Sequence, residues 1–167
     1  MRKNSILNSP LWLALLVAAA VLSPFVVTTL GRPPFPEGLG PLALQEAVSG
    51  NDARNVIERM HGKDVGAGEN HIGFYGSPRG RAVVYVSLFS TRGAAQRAEQ
   101  LMHTKIAHGN AAFSHYRTVR LEGEMVGSCV GLGQVHFFFA EGSGVYWLAV
   151  DPPLAEPVLR ALVLGTR

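Results

Sequence analysis

A single cysteine, Cys129, stands in 167 residues. It excludes an intramolecular disulfide, a Cys-based zinc module and a CxxCH haem attachment. Charge is also sparse: Asp, Glu, Lys and Arg make up 16 % of the chain, which excludes a disordered polyelectrolyte. No P-loop, GxSxG, HExxH or EF-hand pattern occurs, so no mechanism can be assigned from a motif. Runs of Lys and Arg never exceed two residues. Arg2 and Lys3 precede a long apolar stretch, and the thirteen basic residues after them nearly balance twelve acidic ones. The high isoelectric point is therefore not a nucleic-acid footprint, and no nucleic-acid partner is expected.

One long hydrophobic run is present. Residues 11–30, LWLALLVAAAVLSPFVVTTL, carry no charge. As a helix they would reach roughly 30 Å, the thickness of a bilayer's hydrocarbon core. With Arg2 and Lys3 on its N-terminal side, the positive-inside bias places residues 1–10 in the cytoplasm and the rest of the chain outside. The expectation is an uncleaved signal-anchor in the inner (cytoplasmic) membrane. A cleaved signal peptide ending near Ala18–Ala20 is its rival, and the apolar resumption at Phe25-Val26-Val27 speaks against cleavage. Residues 31–41 hold four prolines and three glycines, a composition that predicts a semi-rigid extended stalk.

Residues 42–167 have the length of one domain. Leu42–Val48 and Ala53–Met60 read as helical, the second with an apolar stripe of Ala53, Val56, Ile57 and Met60. Strands are predicted near 69–76 and 81–89, then a helix over about 93–108 capped by Ser90 or Thr91. Four more strands follow near 113–121, 125–130, 134–139 and 145–150, and a final helix starts near Pro153. Short connections make the sheet mainly antiparallel, so the expected class is α+β with helices on one face, after one transmembrane helix. The segments 84–90 and 145–151 are both apolar strands entering a helix, which suggests a loosely duplicated ββα unit.

The chemistry-bearing side chains are few. Gly131-Leu132-Gly133 opens like a dinucleotide fingerprint, but His136 replaces the third glycine and no helix follows, so a tight turn is expected. Cys129 and His136 flank that turn. One register brings them face to face, as a nucleophilic thiol with a base would require, and a shift of one residue separates them. Glu69 and His71 share one strand face with a spacing usable for a metal. His61 sits at a helix end, where the last carbonyls favour a positive ring. Phe137, Phe138, Phe139, Tyr146 and Trp147 are dense, and consecutive strand residues cannot all face one side.

These observations lead to a membrane-anchored, non-enzymatic extracytoplasmic domain that binds a protein partner or small ligand through Gln134, His136, Phe138 and Trp147. The expected partners are the membrane itself and a membrane or extracytoplasmic protein. Two other readings stand beside it. One is a metal- or haem-binding accessory protein using His61, His71, His115 or His136, with Glu69 as a further ligand. The other is a thiol-dependent enzyme using Cys129 and His136. No cofactor is assigned.

Overall fold

Side-chain alternation governs most of the chain after Pro36, because most of it pairs in one sheet. A computed structural model describes residues 34–61, 67–109 and 111–167. In order they form β1 (Gly38–Leu39), β2 (Leu42–Ser49), α1 (Gly50–His61), β3 (Glu69–Ser77), β4 (Gly80–Leu88) and α2 (Arg92–Ala107). Then come β5 (Phe113–Leu121), β6 (Glu124–Gly131), β7 (Gln134–Glu141), β8 (Gly144–Val150), a 3-10 turn at Pro152–Leu154 and α3 (Ala155–Gly165). The eight strands make one curled antiparallel sheet in the order β1-β2-β3-β4-β8-β7-β6-β5. The class is α+β.

Both faces of the central strands are covered. On one face α1 packs Ala53 and Ile57 against Ile72, Val83 and Tyr85. Farther along the same face, His103 of α2 lies over Phe138, with ring centroids 4.7 Å apart. Helices on one face thus describes α1 and α2. The opposite face carries the larger core. There Val84, Val86, Phe137, Phe139, Tyr146 and Leu148 meet Leu154, Val158, Leu159 and Leu162 of the C-terminal segment. Three consecutive phenylalanines are accommodated because β7 is buried on both sides.

Four expectations need correction. Leu42–Val48 is a strand, not a helix: Leu, Ala, Gln and Glu favour helix locally, but antiparallel pairing with β3 overrides that preference. The stalk shortens, because Phe35 and Leu39 are buried in the core and Gly38–Leu39 forms β1. The ββα repeat does not hold. Its matched residues Tyr85 and Tyr146 lie on opposite faces, since Tyr85 pairs with Trp147 while Val86 pairs with Tyr146. Finally, among the described residues no helix is long and apolar enough to cross a membrane. The expected span 11–30 lies outside the described residues. The single-pass anchor, the inner-membrane location and the membrane or extracytoplasmic partner built on it have no structural support and are withdrawn.

Candidate functional site

The register of the β6–β7 hairpin settles the alternatives around the Gly131 turn. Leu132 and Gly133 occupy its tip with φ of 54° and 78°, the left-handed pair that a two-residue hairpin turn requires. Cys129 therefore pairs with His136. Across β7 and β8, His136 pairs with Ala149 and Phe138 with Trp147, so all five side chains share the face that carries α1 and α2.

Aromatic rings fill this part of the face because small residues lie beneath them. Phe138 covers Gly127: a methyl group there would sit 2.3 Å from Cζ of the ring. Phe113 covers Gly131 in the same way, with Cδ1 2.6 Å from where a Cβ would be. Phe138 stacks on Trp147 at 5.4 Å with an interplanar angle of 6°. Phe113 meets both His136 and Trp147 edge to face, at 4.9 Å and 5.4 Å. His136 and Phe138 are buried, whereas Trp147, Phe113 and Gln134 are partly exposed. Gln134 donates its amide N–H to Asp151 Oδ1 at 3.2 Å. The row Tyr85–Trp147–Phe138 runs from the α1 contact to the α2 contact, which places Trp147 between the two helices.

The hydrogen bonds of His136 determine its chemistry. Trp147 Nε1–H can only donate, so His136 Nδ1 accepts it, at 3.1 Å. Nε2 then carries the proton and donates to the Gly131 carbonyl at 3.0 Å. Burial lowers the His136 pKa, with the Gly131 bond acting in the opposite sense. The ring is neutral with both nitrogens occupied, which suits a structural linker and neither a metal ligand nor a base. Burial also pushes the Cys129 thiol up to about 11, so it is protonated at neutral pH. The thiol-enzyme reading is thereby overturned, despite the correct register.

The other histidines are dispersed. His61 Nδ1 lies 2.8 Å from the Ile57 carbonyl within its own helix, the bond expected at a helix end. His115 lies in β5 at a positive φ of 55° beside Ser114. His71 does approach Glu69, with Nε2 2.9 Å from Oε1, but Ser49 rather than a third metal donor completes its surroundings. Among the described residues no group of three His, Cys, Asp or Glu side chains could hold a metal ion, which overturns the metal-binding reading.

Three contributors escape a reading of the sequence: Phe113, His103 and Tyr116. Phe113 reaches the cluster because β5 is irregular between Ser114 and Arg117, which breaks the simple alternation. His103 and Tyr116 join through a 2.7 Å hydrogen bond between Nδ1 and the tyrosine hydroxyl, thirteen residues apart in the chain. Fold and site together define an α+β domain with one small aromatic cluster. No protein family, curated protein or solved structure matches the chain.

Proposed function

We propose that this domain binds a flat, ring-bearing small molecule non-covalently on the shelf made by Trp147 and Phe113. One observation carries the reading. Two large aromatic rings stay partly exposed side by side while the groups beneath them, His136 and Phe138, are buried and fixed by hydrogen bonding and stacking. A rigid aromatic surface loses little entropy when a second ring stacks on it, which favours such ligands. Gln134 supplies a polar rim at the Asp151 end. In this reading His136 and Phe138 are positioning residues, and Trp147 and Phe113 make the contact.

Titration of the full chain with indole and with 1-naphthoate, followed by calorimetry, tests it. Saturable binding of at least one compound is expected. Loss of one aromatic contact costs about 1 kcal/mol, so W147A and F113A should each weaken binding by roughly fivefold to tenfold. W12F should leave it unchanged. Circular dichroism establishes that each variant is folded. The proposal is wrong if neither compound saturates at millimolar concentration, or if both shelf variants bind like the parent.

A further inference from the structure

At the opposite side of β3 lies a second arrangement, independent of the aromatic shelf. β2 ends at Ser49 and α1 begins at Gly50, which adopts a φ of +66°. Ser49 pairs directly with His71 across the β2–β3 ladder, and its Oγ lies 2.9 Å from His71 Nδ1. Glu69, two residues before His71 and hence on the same strand face, brings Oε1 to 2.9 Å from Nε2. His71 is only 4 % exposed, whereas Ser49 and Glu69 reach solvent. Among the described residues Nε2 has no hydrogen bond of good geometry, and the Glu69 carboxylate lies beside it. Arg54 of α1 holds the chain just before Glu69 through bonds of 3.0 Å to the carbonyls of Ala67 and Gly68. A buried imidazole between an exposed hydroxyl and a carboxylate has more order than packing alone requires.

The proton positions follow from the partners. The Glu69 carboxylate 2.9 Å from Nε2 favours the proton on that nitrogen although the N–H is not aligned on it, which leaves Nδ1 as the acceptor and Ser49 Oγ–H as the donor. Burial lowers the His71 pKa, opposed by the Glu69 charge and hydrogen bonding, so the resting ring is neutral. This is the nucleophile–base–orienting-acid sequence with the two ring nitrogens exchanged relative to the usual order. Asn51 and Asp52 follow in the first turn of α1, whose N–H groups have no carbonyl within the helix and can stabilise an adjacent oxyanion.

We infer that Ser49, His71 and Glu69 form an acyl-transfer site that hydrolyses small activated carboxylic esters at the Ser49–His71 end of the β2–β3 pair. Ser49 Oγ attacks the ester carbonyl carbon as its proton passes to His71 Nδ1, and the carbonyl oxygen becomes an oxyanion. Collapse breaks the bond to the leaving alcohol, which takes the proton from His71 and leaves an acyl group on Ser49. Water then attacks that acyl carbon, giving its proton to His71. Expulsion of Ser49 Oγ, which recovers the proton, releases the carboxylic acid. One ester and one water give one acid and one alcohol. Ser49 is the nucleophile, His71 the base and Glu69 a positioning residue.

A fluorophosphonate probe, which phosphonylates an activated serine with release of fluoride, tests the site on the full chain. Time-resolved mass spectrometry should find the adduct on the Ser49 peptide, and 4-nitrophenyl acetate should be turned over. S49A should abolish both, and H71Q should slow labelling by roughly a hundredfold or more. E69Q should slow it by about tenfold or more, while E69D, which keeps the carboxylate, should retain most of the rate. If H71Q does not fold, the E69Q and E69D pair decides the question. Absence of a Ser49 adduct on the folded parent overturns the inference, as does labelling unchanged in E69Q. Neither result bears on ligand binding at Trp147.

Discussion

Gly127→Ala offers a direct test of how the aromatic cluster is built. The new methyl would lie 2.3, 2.5 and 2.7 Å from three ring atoms of Phe138, against an ordinary contact limit near 3.4 Å. The ring must retreat by about 1 Å. It has no room to do so: Phe138 is fully buried, stacked against Trp147 and covered by His103 at 4.7 Å. Overpacking of this kind costs about 1–3 kcal/mol, even though alanine by itself would suit a strand better than glycine. For a chain of this length that amounts to a fall in melting temperature of roughly 2–12 °C. Urea unfolding of G127A, with an unchanged denaturant slope, measures it. The double variant G127A/F138L should recover part of the loss, giving a favourable coupling of about 1–2 kcal/mol. A destabilisation below about 0.5 kcal/mol, or strict additivity in the double variant, would refute the claim that glycine at 127 exists to seat the ring.

Two other outcomes follow from buried titratable groups. His136 has its pKa lowered in the folded state, so the unfolded chain binds more protons and stability rises with pH. The contribution is present above the ordinary histidine value near 6.5 and is lost as pH falls below it toward the lowered value. His71 acts in the same direction, while the raised Glu99 carboxyl acts in the opposite one, so the comparison with H136Q isolates His136. The urea midpoint of the parent should drop more between pH 7.5 and pH 5 than that of H136Q, and equal drops would contradict the assignment. Cys129, with its thiol pushed up to about 11, should react with an aromatic disulfide reagent at pH 8 roughly 100-fold more slowly in the native chain than in urea. A native rate close to the unfolded one would show that the thiol is neither buried nor protonated.

Local patterning made much of the sheet readable in advance. β-branched and aromatic runs ended by Gly- and Ser-containing turns mark β3, β4, β7 and β8 within a residue or two, and Thr91 caps α2 through Ala94 N–H as a strand-to-helix junction predicts. The pairings of Phe138 with Trp147 and His136 with Ala149 follow from a two-residue turn at Gly142-Ser143. β2 was hidden because Leu42–Val48 has helix-favouring composition, and only its partner β3 makes it a strand. Ser49 is hidden for the same reason. Its neighbour His71 is twenty-two residues away, and their contact exists only when that strand does.

By itself the sequence determined the α+β class, the antiparallel order of the later strands and the pairing of Phe138 with Trp147, since periodicity and turn chemistry act over short distances. Tertiary structure decided the states of the side chains. Cys129 and His136 do meet, but burial keeps the thiol protonated and Trp147 with Gly131 occupies both imidazole nitrogens. Phe138 is sealed beneath α2 while Trp147 stays partly open between two helices. Desolvation and hydrogen-bond occupancy depend on atoms brought from distant parts of the chain, and no local spacing encodes them.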